Sequence, residues 1–116
     1  MGETRTEMAR IIPLLNKSGA AKTLMEAFPR VIQLELDGEQ GKFLITINLG
    51  QITMEDRNSE KADIVVSGDA REFAKVVRGK IDVSHLIARG QITVEKGRVS
   101  DMTLLNRILL AGPKGD

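Results

Sequence analysis

From Ala62 to Gly97 the chain alternates and punctuates so closely that little besides strand, helix, short helix, strand can accommodate it. Ala62, Ile64 and Val66 alternate with Asp63, Val65 and Ser67, which predicts a half-buried strand that Gly68 breaks. Asp69 can cap the next helix, with Glu72 reaching back as in a capping box. Phe73, Val76 and Val77 make the buried stripe of that helix, and Gly79 suits a left-handed C-terminal cap. Asp82 can cap a shorter helix carrying Val83, Leu86 and Ile87. Gly90 ends it, and Gln91–Glu95 alternates again with Ile92 and Val94 on one side.

The flanking segments obey the same two periods. Met8, Ile11, Ile12 and Leu15 follow helical spacing, and Ala20, Ala21, Leu24, Met25 and Phe28 extend the stripe until Pro29 stops it. Pro13 and Gly19 predict either one kinked helix or two short ones. Ile32, Leu34 and Leu36 alternate with Gln33, Glu35 and Asp37, a strand with one dry and one wet face. A turn at Gly38–Gly41 leads to a second strand with Phe43, Ile45, Ile47 and Leu49 inward. Gly50 permits a reversal into a short third strand holding Ile52 and Met54. Asp56–Lys61 is a charged loop. After Gly97 a last helix starts at Ser100 or Asp101 and runs to about Leu110, with Met102, Leu105, Ile108 and Leu109 on one side. Leu104 and Leu110 lie off that side, so this helix is apolar over more of its circumference than one packing face requires. Residues 111–116 are expected to be loose. The order predicts an α+β fold with one sheet of about five strands: a three-strand antiparallel meander, a crossover, then two further strands, with helices on one face.

Length and composition narrow the function. The 116 residues suit one domain, 1–116, with one core. With 41% hydrophobic and 28% charged residues the chain is that of a globular protein. A net charge of +1 and three Phe with no Tyr or Trp argue against nucleic acid, since neither overall charge nor stacking platforms are supplied. Without cysteine there can be no disulfide, thiolate metal site or cysteine nucleophile. No apolar run approaches the ~18 residues of a membrane span, the first residues lack a signal-peptide core, and a cytoplasmic location is expected. The myristoylation-like Met1-Gly2 with Thr6 and the glycosylation-like Asn16-Lys17-Ser18 are read as accidental matches.

Catalytic candidates are few. His85 is the single histidine, and neither a metal-ligand spacing nor a nucleophile elbow accompanies it. It reads as a polar position on the Asp82-capped helix. Gly79-Lys80 lacks the upstream glycine and following hydroxyl of a phosphate-binding loop. Asp37 and Glu39 read as solvated turn residues. The sequence calls for no catalytic residue, no metal and no cofactor.

The order Asp63-Ile64-Val65-Val66, Phe73, Gly79-Lys80-Ile81-Asp82 and Gly90-Gln91-Ile92-Thr93-Val94-Glu95-Lys96-Gly97 resembles the sterol carrier protein family of small lipid-binding domains. The resemblance implies non-enzymatic binding and transfer of an apolar ligand in a tunnel between sheet and helices: a sterol, fatty acid, acyl-CoA, phospholipid or isoprenoid-like chain. It implies a last helix that borders or covers the tunnel. Many eukaryotic members end in a peroxisomal address, which this chain lacks. On this reading the apolar lining comprises Met25, Phe28, Phe43, Ile45, Met54, Phe73, Val77, Leu86, Met102, Leu105 and Leu109. Arg71, Lys75 and Arg78, at i, i+4 and i+7, would touch a head group or an anionic bilayer. The bland alternatives stand beside these. The lining is the core of any small α+β domain, the basic stripe is a solvated helix face, and the last helix is a homodimer contact in an interaction or accessory module that has no cavity.

Overall fold

The computed structural model describes residues 2–114. Helices α1 (Glu3–Lys17) and α2 (Gly19–Glu26) precede strands β1 (Arg30–Asp37), β2 (Phe43–Asn48) and β3 (Gln51–Glu55). Strand β4 (Ile64–Asp69), helices α3 (Ala70–Val77) and α4 (Val83–Ala88), strand β5 (Ile92–Lys96) and helix α5 (Val99–Lys114) complete the chain. The sheet order is β3-β2-β1-β4-β5. β1 pairs antiparallel with β2 and parallel with β4, and the two outer pairings are antiparallel. This is the expected α+β layout of meander, crossover and two further strands.

Local chemistry sets most boundaries. Pro13 lies inside α1 without ending it, and the break falls at Ser18, whose Oγ accepts the Ala21 N–H at 3.1 Å. Two short helices therefore form. Asp69 accepts the Glu72 N–H at 3.0 Å and so caps α3. The return half of the capping box is absent, because the Asp69 N–H donates to the Gln91 carbonyl and the Glu72 carboxylate turns to Lys75. Gly79 has φ +76°, and Lys80 N–H reaches back to the Lys75 carbonyl, the paired closure that a left-handed residue after a helix permits.

Four expectations are corrected. Gly68 does not end β4; the strand continues through it to Asp69, at a place where a Cβ would collide with the Gln91 carbonyl. Leu49 is not an inward strand residue but sits in the β2–β3 turn with φ +53°. Glu39 is not solvated: its side chain has no exposure, and its carboxylate accepts the N–H groups of Thr4 and Arg5, capping α1 from another part of the chain. The last helix begins at Val99 and runs through Ala111 to Lys114; of the tail expected to be loose, Gly115 and Asp116 lie outside the described residues.

The core forms between the sheet and the helices and includes residues of every strand and helix. α5 contacts each of the other four helices. That accounts for Leu110, which meets the chain at Gly79, whereas Leu104 stays 37% exposed. The opposite sheet face is partly roofed by the charged crossover, where Ser59 N–H donates to Gln33 Oε1 at 2.7 Å. Gln33 and its register neighbour Leu44 are both buried on that face.

Candidate functional site

The eleven residues expected to line a ligand site come from six elements and the α2–β1 junction. Met25 is on α2, with Phe28 just after it; Phe43 and Ile45 are on β2 and Met54 on β3. Phe73 and Val77 are on α3, Leu86 on α4, and Met102, Leu105 and Leu109 on α5. The fold gathers ten of them into one continuous core and packs half-buried Met54 against it. Each of the ten is 2% exposed or less, which leaves no water-sized space against them. They are thus the interior itself, and an apolar chain entering here has to part helices from sheet.

The two ends of this interior differ. At one end the Phe43 ring lies under Arg5, whose guanidinium carbon is 4.4 Å from the ring centre. Arg5 pairs with Glu39 and Asp56, each at 2.8 Å. Burial alone would lower the Arg5 pKa, but the hydrogen bonds it donates to Asp56 and Glu39 outweigh that and hold the guanidinium above its ordinary value. This end is clasped shut by charge. At the other end Phe28 lies under Arg30 at 4.9 Å, and no carboxylate among the described residues pairs with Arg30.

The basic stripe of α3 is committed to carboxylates. Arg78 meets Glu7 at 3.3 Å, Lys75 meets Glu72 at 2.9 Å and Arg71 meets Glu3 at 3.6 Å. Two of the three bonds tie α3 to α1. Burial pushes the Glu7 carboxyl up, but hydrogen bonds from Arg10 and Arg78 outweigh it and hold it below its ordinary value. Arg71 is the most open of the stripe, at 77% exposed.

Two polar features inside the helical layer escaped sequence reasoning. Asn106, buried on α5, accepts the Val83 N–H at 2.9 Å and ties α5 to the start of α4. Thr4 is buried and donates to the Ala70 carbonyl at 2.6 Å. Thr4 stands between Glu3 and Arg5 and Asn106 between Leu105 and Arg107, and neither carries a local pattern that announces a partner 66 or 23 residues away. His85 is exposed on α4. Among the described residues no group of three or more His, Cys, Asp or Glu is placed to hold a metal ion, and no helix is long and apolar enough to cross a membrane. One surface cleft, of about 320 Å³, lies between Gly2, Asp37, Asp69 and Arg71 and is lined by none of the eleven residues expected to line a ligand site.

The chain superposes on the ubiquinone synthesis protein UbiJ-SCP2 with a TM-score of 0.73 at 21% identity, over 93% of this chain and 89% of that one. On sterol carrier protein 2 of Yarrowia lipolytica in its apo form the TM-score is 0.67 at 22% identity, over 88% and 85% of the two chains. The same fold occurs inside the inverting sec-alkylsulfatase Pisa1 of Pseudomonas sp., at a TM-score of 0.64 and 14% identity, where 78% of this chain matches 14% of the enzyme. No curated protein matches the sequence. The model of the SCP-2 sterol transfer family matches residues 9–107, from the middle of α1 to within α5. That stretch contains both strand-flanking glycine motifs and nearly the whole apolar interior, and the chain belongs to the SCP-2 sterol transfer family.

Proposed function

We propose that this protein is a carrier of one long-chain apolar lipid and performs no chemistry on it. The observation that carries the reading is an aliphatic, methionine-bearing layer between sheet and helices in a chain of the SCP-2 sterol transfer family. The proposed lining is the set from Met25 to Leu109 named above. Met25, Met54 and Met102 suit it because unbranched thioethers repack around an irregular guest.

Entry is proposed at the Phe28–Arg30 end, by displacement of α2. That helix fully buries Ala21 and Met25 and half-buries Leu24, so exposing its own apolar side chains costs about 4 kcal/mol. About five methylenes buried in its place, at roughly 0.8 kcal/mol each, offset that cost. A fatty acyl or isoprenoid-like chain has several times as many. Arg30, which holds no carboxylate partner among the described residues, would meet an anionic head group there. Arg71, with its single long pair to Glu3, is the member of the α3 stripe best able to exchange its partner for one.

Native mass spectrometry of freshly purified protein, followed by organic extraction, tests the carrier reading. A mass excess that extracts as a lipid is expected. A bare protein mass, together with no response from long-chain fluorescent probes at micromolar protein, would overturn it. The closed interior and the occurrence of the fold as a small part of a sulfatase favour a second reading, an accessory interaction module without a cavity. Its signature is concentration-dependent self-association or partner binding with no lipid uptake.

A further inference from the structure

Leu49 is placed at two costs that nothing inside the molecule offsets. It is the one non-glycine with positive φ among the described residues, at +53°, where a bulky side chain is strained. It is also the most exposed of the large apolar side chains, at 84%. With Gly50 at φ +72° it forms the two-residue loop between the paired Asn48 and Gln51. Such loops favour Asn-Gly or Gly-Gly.

The surroundings of this loop are cationic. Because β1 and β4 are parallel and their other neighbours antiparallel, one end of the sheet collects the β2–β3 loop and the starts of β1 and β4 with the end of β5. Arg30 stands across from Ile47, Lys96 across from Val65, and Lys61 leads into β4. The Lys22 side chain lies beside Gly50, and Arg98 follows Gly97, which abuts Asp63 and Ile64. None of these five cations pairs with a carboxylate among the described residues. Seven other cations do, including Arg5, Arg71, Lys75 and Arg78, while Lys17, Lys80, Arg89 and Arg107 do not. The carboxylates at this end are Glu26, Glu60, Asp63, which accepts the Val31 N–H, and Asp101, which accepts the Arg98 N–H, so the five cations stand against four negative charges without pairing with any of them. Val99, 51% exposed, adds a second apolar tip.

We infer that this end of the sheet is a docking surface for an anionic lipid bilayer, with Leu49 as the inserting tip. An apolar residue projecting among unpaired cations fits a layer that is negative at its surface and apolar beneath. A duplex or an acidic protein offers the charge but no depth for Leu49. The surface stands on Leu49 and the charges alone. It also extends the carrier reading, because α2 and the Phe28–Arg30 end lie against the same loop and would open toward the membrane.

The test is sedimentation of the full chain with phospholipid vesicles free of sterol, fatty acid and acyl-CoA, which reads docking and not uptake. Partition is expected onto a two-to-one phosphatidylcholine–phosphatidylglycerol mixture at low salt, weaker at high salt, and weak onto phosphatidylcholine alone. Leu49→Asn keeps the turn and is expected to raise or leave unchanged the thermal midpoint while lowering partition about tenfold. Lys96→Gln and Arg98→Gln are each expected to lower it about fivefold. No partition of the unaltered protein onto anionic vesicles, or partition indifferent to Leu49→Asn, overturns the proposal. So does retention on a DNA duplex or an acidic protein without vesicle binding. Because sedimentation reads attachment and not uptake, such a failure leaves the carrier reading standing, and lipid extraction from protein that ignores vesicles does the same.

Discussion

Helices α2 and α3 have the same length, eight residues, and the same kind of start, a side-chain oxygen on a backbone N–H three residues on. They are held very differently. α3 buries Ala70, Phe73, Ala74, Val76 and Val77, closes on Gly79 and exchanges ion pairs with α1 through Glu3 and Glu7. α2 buries Ala21 and Met25 and makes no ion pair among the described residues. Exposing the apolar side of α3 costs about 8 kcal/mol against about 4 kcal/mol for α2 with its half-buried Leu24. α3 is thus the more firmly held, and α2 is the panel that the proposed guest would displace.

The largest test of that contrast is Phe73→Ala. With Phe73 fully buried, the loss is expected to be about 3–5 kcal/mol in urea unfolding. A loss under about 1 kcal/mol, with altered lipid affinity, would make α3 a wall of a roomy site and dissolve the contrast. Met25→Ala on the panel is expected to cost about 2 kcal/mol, at the low end for such truncations because α2 can settle inward. It should also change lipid uptake more than Phe73→Ala does per unit of stability lost. Equal uptake in both variants counts against entry at α2.

The two caps give a smaller and more local comparison. Ser18→Ala and Asp69→Ala should each cost about 1 kcal/mol. In hydrogen exchange, Ser18→Ala should speed only residues 19–26, whereas Asp69→Ala should lower the protection of the whole domain. Local exchange in both would mean that α3 also opens alone. Acid gives the smallest effect, under about 1 kcal/mol. The folded Glu7 carboxyl titrates below its ordinary value, so its stabilisation is complete above about pH 4.5 and fades as pH falls through the lower folded value. Below that range the α1–α3 tie weakens and the contrast with α2 narrows. Glu7→Gln should remove part of the fall in stability seen between pH 5 and pH 3; an unchanged acid profile would discount the tie.

Much of this fold was legible because its elements speak in period and punctuation. Asp69, Gly79, Asp82 and Gly90 announce helix ends through chemistry that acts within five residues. Where the reading failed, the deciding partner was far along the chain. The apolar alternation from Phe43 runs on to Leu49, but turn geometry, not hydrophobicity, ends β2. Glu39 looked like a wet turn residue because the helix start it caps lies 35 residues earlier. Residues 111–116 are expected to be loose, yet α5 runs on to Lys114, and Gly112 stands where a Cβ would strike Leu15. For the site, the apolar residues were visible by their spacing. The commitment of Arg71 and Arg78 to α1 was not, since nothing in α3 encodes the position of Glu3 or Glu7.

The parallel seam between β1 and β4 has a kinetic meaning. Every pair in it, from Ile32 with Ile64 to Asp37 with Asp69, joins residues 32 apart in the chain. The β1–β3 meander assembles from neighbouring segments, whereas the seam must first gather a long loop, at roughly 3 kcal/mol of chain entropy, and the β4–β5 pairing, from Gly68 with Ile92 to Val65 with Lys96, must gather one nearly as long. Because the separation never changes along the seam, that cost falls once, on whichever pair meets first. The remaining pairs close without lengthening the loop. The folding barrier is thereby concentrated in the encounters that bring β4 to the locally formed meander and β5 to β4, and these long closures make the whole chain fold as a unit.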